Sequence, residues 1–213
     1  VYSELCLCGY LPQDLLEQPA FLDRNLTELA CLAKKVPLPV IVGYAGRAPD
    51  STGKPVSNTA ALLAGGRVVF EQRKMLLPTY DVFDESRYFQ PAKSQHICPF
   101  GSEQLGITIC EDMWNDKNFW AKPLYERDPV AELVGQGTTV LLNISASPYT
   151  IDQRALRLDI LKALARSHHR RHRGFRPRPV AGRLASQRRP AARLGAFQNV
   201  VQRGGAAPFR PRH

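Results

Sequence analysis

Through its first 166 residues, this chain alternates short apolar runs with stretches of helical period. The opening "VYSELCLCGY" carries apolar and small residues with little polarity, the pattern of a strand covered on both faces. A strand's period of two would place Cys6 and Cys8 on one side of it, as core residues. From Leu15 to Ala33 the apolar positions Leu22, Leu26, Leu29, Ala30 and Ala33 recur at helical spacing, and "KKVPLP" ends the helix. "PVIVGYAG" predicts a second buried strand. "NTAALLAGGRVVFEQRKMLLP" predicts two strands joined at Ala64-Gly65-Gly66, since glycine accepts the positive φ of a tight hairpin turn. "LGITICED" predicts the next strand. Pro129 to Val134 forms a short helix with Asp128 as N-cap, and "TTVLLNISAS" a further strand. "IDQRALRLDILKALAR" is a helix with Leu156, Ile160, Leu161 and Leu164 on one face. Strands and helices in alternation predict a layered α/β domain over residues 1–166.

Beyond Arg166 the pattern stops. Residues 167–213 hold 12 of the 29 Lys+Arg, all of them arginine, and none of the 19 Asp+Glu. That leaves 17 basic against 19 acidic residues in 1–166, a balance of −2, so the formal charge of +10 belongs to the tail. With few large apolar residues, the tail cannot bury enough surface to offset its ordering entropy. Three readings of it stand: a disordered basic arm for nucleic acid or an acidic partner, a metal site at His168, His169 and His172, or out-of-frame text. Outside the tail nothing marks a nucleic-acid binder.

The five cysteines contain no Cys-x-x-Cys pair, which speaks against a disulfide framework or a zinc ribbon, and no metal is expected. No apolar run approaches the ~18–20 residues that span a bilayer, and the N-terminus has no signal-peptide pattern, so a soluble cytoplasmic protein is expected.

Candidate chemistry lies at three strand ends: Glu4 in "YSELCLCGY", Lys74 in "VVFEQRKMLLPTY" and Cys110 in "ITICEDMW". A thiol, a carboxylate and an ammonium brought together could perform acyl transfer. The thiol attacks an amide carbon, the carboxylate moves the proton, and the ammonium stabilises the oxyanion while lowering the thiol pKa. Taken singly, each of these signals is weak, since a lone Glu, Lys or Cys is more often structural.

The motifs "SELCLCGYLPQDLL", "RKMLLPTYDVFDESRYFQP", "ICEDMW" and "LLNISASPYT" closely resemble the glutamine-hydrolysing domain of glutamine-dependent NAD synthetases. Those domains form a branch of the nitrilase, or carbon-nitrogen hydrolase, superfamily. The resemblance runs over about residues 1–166. It implies a four-layer αββα sandwich that hydrolyses the glutamine side-chain amide, with Glu4 as general base, Lys74 stabilising the oxyanion and Cys110 as nucleophile. It further implies that Glu85 orients the lysine and the substrate, and that Tyr80, Glu111 and Ser147 contact glutamine. The residues themselves leave Tyr80 open as a packed aromatic, Glu111 as a solvated charge and Ser147 as a turn or cap hydroxyl.

The resemblance implies no metal or organic cofactor for this reaction, and assembly through the hydrolase domain as a homo-oligomer. ATP and deamido-NAD would be used by a synthetase domain whose Ser-Gly-Gly-x-Asp-Ser loop does not occur in these residues. Family members carry a strand and helix before the segment that matches Val1 onward, and a buried strand where this chain turns arginine-rich. The expectation is therefore a sandwich incomplete at both ends, with exposed sheet edges and doubtful activity. Two rivals remain: a stand-alone amidase, carbamoylase or nitrilase acting on another small amide or nitrile, and a non-catalytic basic nucleic-acid-binding protein or inactive fragment.

Overall fold

The computed structural model describes residues 1–49, 52–80, 83–116, 119–147 and 153–172. Two three-stranded sheets stack face to face. Antiparallel β1 (Val40–Arg47), β2 (Val56–Ala64) and β3 (Arg67–Arg73) form the first. In the second, β5 (Glu103–Ile109) pairs antiparallel with β4 (Ile97–Phe100) and parallel with β6 (Val140–Ile144). The predicted hairpin is present, with Ala64 paired to Arg67 across Gly65 and Gly66 at φ 59° and 80°.

Alternation along each strand builds the layers. On β1 and β2, Ile41, Ala60 and Leu62 point at the second sheet, where Leu105, Ile107, Ile109, Leu142 and Ile144 meet them. Their opposite faces, Val42, Tyr44, Ala61 and Leu63, receive Leu29 and Ala33 of helix α1 (Pro19–Lys35). Beyond the second sheet, Val130 of α3 (Pro129–Gly135) packs with Ile160 and Leu164 of α4 (Gln153–His172). The order is helix, sheet, sheet, helix, so the four-layer αββα expectation stands among the described residues. Asp128 caps α3 as expected, accepting from the Ala131 N–H at 2.9 Å. Among the described residues no helix is long and apolar enough to cross a membrane.

Several local expectations are corrected. The opening segment is a turn, not a strand. Tyr2 N–H bonds Ile41 O and Leu7 N–H bonds Gly43 O, and between those anchors the chain bulges through Leu5 at φ 48°. Cys6 and Cys8 therefore do not share a face: Cys6 packs toward α1, and Cys8 beside Leu5 and Tyr88 in a separate cluster. On α1, Ala30 is exposed and Asn25 is buried instead, its Oδ1 accepting the Ala45 N–H at 3.1 Å. Strand β4 and the one-turn helix α2 (Glu85–Tyr88) were not anticipated. Pro99 inside a four-residue run masks β4, and proline is tolerated there because β4 is an edge strand. Helix α4 runs past Arg166 to His172; the rest of the tail, and the side chains of His168, His169 and His172, lie outside the described residues.

The bulge depends on Gly43. A Cβ there would meet Leu5 N at 2.4 Å, Ser3 O at 2.6 Å and the Glu4 carbonyl carbon at 2.8 Å, all backbone atoms. Gly43→Ala is expected to lose about 1–3 kcal/mol of stability through overpacking. The lost stability would show as a lower urea midpoint at unchanged slope. An unchanged midpoint would mean that the turn over β1 moves freely.

Candidate active site

The Glu4 bulge, the end of β3, the end of β5 and the segment after β6 converge at one end of the gap between the sheets. Lys74 follows β3 directly and is fully buried. A buried ammonium requires partners. Its Nζ bonds Glu4 Oε1 at 2.8 Å and Glu85 Oε1 at 2.7 Å, using two of its three protons. Glu4 Oε1 also accepts from Asn58 Nδ2 at 2.8 Å, and Glu4 Oε2 from the Ala146 N–H at 3.0 Å. Glu85 Oε1 accepts the Tyr10 hydroxyl at 2.7 Å. Burial opposes the charge on Lys74, but Glu4, Cys110 and Glu85 together hold its pKa well above the usual lysine value. Burial pushes the Glu85 carboxyl up, against the pull of Lys74 and with a contribution from Glu4.

Cys110 opens the one-turn helix Cys110–Met113 at φ 45°, a left-handed conformation unusual for a non-glycine residue. Such strain persists only where surrounding structure over-determines it. Its Sγ lies 3.0 Å from Ser147 Oγ and accepts from Ser145 Oγ at 3.3 Å, and the two serine hydroxyls bond each other at 2.8 Å. Burial, then the Glu4 carboxylate, push the thiol up to about 12, while Lys74 and the serines pull the other way. The expected pull of Lys74 is present, and a larger opposing one accompanies it. Lys74 does favour the thiolate, but desolvation outweighs it, so the thiol keeps its proton at neutral pH.

Glu111 is buried, not solvated. Both its oxygens accept the Tyr80 hydroxyl at 2.9 Å, and Oε1 also takes the Tyr125 hydroxyl at 3.1 Å. Burial pushes this carboxyl up, against the two tyrosines and Lys74. Tyr80 itself is 45% exposed, with its ring edge-on to Phe83, so it stands at the rim rather than in the core.

The seven side chains assigned to catalysis or substrate contact thus fall in one site: Glu4, Lys74, Cys110, Glu85, Tyr80, Glu111 and Ser147. Sequence reading missed Tyr10, Asn58, Ser145 and Tyr125, which hold those groups in place. Only Ser145 carried a signal, as the other hydroxyl of "NISASP". The described residues include no cluster of three or more metal-ligating side chains.

A family model described as carbon-nitrogen hydrolase matches residues 1–126. A glutamine-dependent NAD(+) synthetase of Synechocystis is 39% identical over 168 residues, which are 76% of this chain and 30% of that protein. One from Thermotoga maritima is 35% identical over 79% of this chain and 27% of its own length. The chain thus spans under a third of the length of these curated relatives. Among solved structures, the glutamine-dependent NAD+ synthetase of Acinetobacter baumannii superposes with a TM-score of 0.67 at 28% identity. It covers 79% of this chain and 29% of that one. A nitrilase-superfamily amidase from Nesterenkonia shares the fold, with a TM-score of 0.61 at 20% identity, over 79% of this chain and 58% of that one.

Proposed function

The chain belongs to the carbon-nitrogen hydrolase family, and from that premise we propose that it hydrolyses the side-chain amide of glutamine to glutamate and ammonia. In a longer protein this would be the ammonia-supplying half of glutamine-dependent NAD synthesis. The supporting observation is the buried Glu4–Lys74–Glu85 ion cluster, whose charges act on a thiol held at the end of β5.

The proposed steps follow from the protonation states. The thiol is neutral at rest, so Glu4 takes its proton as Sγ attacks the amide carbon. The carbonyl oxygen becomes an oxyanion facing the third proton of Lys74. As the C–N bond breaks, Glu4 returns the proton to the departing nitrogen, giving ammonia and a γ-glutamyl thioester on Cys110. Water then attacks the thioester, losing its proton to Glu4, and glutamate leaves with the proton returned to sulfur. The chain's own side chains supply nucleophile, base and cation, and the proposal adds no metal or organic cofactor. Glu111, fixed between Tyr80 and Tyr125, offers its carboxylate to the α-ammonium of an amino-acid substrate, which favours glutamine over a simple amide. Ser147 would meet the substrate beside the sulfur.

The test is to incubate the chain with glutamine and, separately, with acetamide and propionamide, assaying ammonia and glutamate. Equimolar glutamate and ammonia from glutamine, with the simple amides slow, is the expected result. Equal or faster turnover of the simple amides would replace the glutaminase reading with the stand-alone amidase one.

A further inference from the structure

We propose that Asp112 is a positioning residue that fixes Lys74 and Cys110 relative to each other, by gathering the backbone beside both onto one carboxylate. This rests on the hydrolase reading above. Asp112 is 1% exposed. Its Oδ1 accepts the N–H groups of Met75 at 3.0 Å and Leu76 at 2.8 Å, the two residues after Lys74. Its Oδ2 accepts the N–H of Ile109 at 3.1 Å, the residue before Cys110.

The need for such a group is set by the fold. Strand β3 ends at Arg73, so Met75 and Leu76 leave the sheet while still buried, at 6% and 4% exposure, and their N–H groups have no ladder partner. Buried backbone donors without acceptors are strongly disfavoured. On the other side, Cys110 turns out of β5 into a left-handed conformation that something must hold. One acceptor-only side chain answers both requirements. Asparagine would not, because its amide would set N–H groups against at least one of the three backbone donors. Burial pushes the Asp112 carboxyl up to about 7, against the pull of those donors and of the nearby Lys74 ammonium. The clamp leaves the cleft free, since Asp112 meets backbone and not substrate.

The expected effect of Asp112→Asn is a fall in kcat on the order of 100-fold with KM little changed, because a small misplacement costs about that much. The pH midpoint of Cys110 alkylation by iodoacetamide should also move up, as Lys74 loses its grip on the thiolate. That second readout needs no glutamine turnover, so it stands even if the glutaminase reading fails. Should Asp112→Asn not fold, replacing Leu76 by its α-hydroxy acid deletes one donor while keeping the side chain, and the same changes are expected in smaller degree. A folded variant with unchanged kcat and an unchanged alkylation midpoint would overturn the proposal. So would a loss of activity that only tracks the folded fraction.

Discussion

Cys110→Ala is expected to abolish turnover, lowering kcat by about 10⁶-fold, the scale seen when a catalytic nucleophile is removed. A glutamine analogue bearing a diazoketone should add once to the wild-type chain and not at all to the variant, read by intact mass. The prediction is sharper than activity loss alone, because the chain has four other cysteines as internal controls. Cys31 is exposed and Cys98 is buried in the sheet core. A site assembled around Glu4 and Lys74 would direct the analogue to Cys110 alone, through binding of its amino-acid part. A small neutral electrophile should behave differently. With the Cys110 thiol pushed to about 12 by burial and Glu4, iodoacetamide at neutral pH should find Cys31 first, and Cys110 should catch up only as the pH climbs. Preferential labelling of Cys110 by the analogue together with sluggish alkylation is the signature of a thiol deprotonated on demand. Analogue spread over several cysteines, or an adduct that survives Cys110→Ala, would remove Cys110 from the mechanism.

The parts of this site that could be read from sequence are those with a strong local pattern. β2 is legible because its second half, Ala60 to Ala64, is wholly apolar, and its two neighbouring layers bury both faces. The hairpin is legible because Gly65-Gly66 has one natural use. Cys110 is legible as a polar residue that ends an apolar run, whereas Lys74 follows the polar Glu71-Gln72-Arg73 and is legible through the motif around it. Glu4 was found for a partly mistaken reason: its segment has a strand's composition but bulges over Gly43, a close approach that no period in the sequence announces. Tyr10, Asn58 and Tyr125 were illegible because each acts across a long stretch of sequence, on Glu85, Glu4 and Glu111 respectively. Their roles exist only once the sheets are stacked. The sign of the thiol shift was illegible for the same reason, since desolvation depends on how completely the layers close.

Lys74→Met is expected to be strongly destabilising. Methionine approximates the lysine stem in volume, so the loss is electrostatic rather than steric. It leaves Glu4 and Glu85 buried without their shared cation, and breaking a buried pair from one side costs about 3–5 kcal/mol. In a chain of this size that is a drop in Tm of about 10 °C. The pH dependence separates this cause from a packing defect. Glu85 is already raised above the ordinary carboxylate value by burial, with Lys74 pulling it down, so removing the lysine raises it further. A carboxyl with a raised folded pKa binds its proton more tightly folded than unfolded. Its contribution is therefore most favourable below the unfolded value of about 4.3 and is lost as pH rises through the folded one. The stability gap between Lys74→Met and wild type should accordingly narrow as the pH falls from 7 toward 4. Wild type has the opposite linkage at the alkaline end. Lys74 is raised above its usual value, so its contribution is complete below about 10.5 and lost above the folded value. A gap that stays constant across the acid range would mean that the carboxylates are not sustained by Lys74, and the ion cluster would lose its place at the centre of the site.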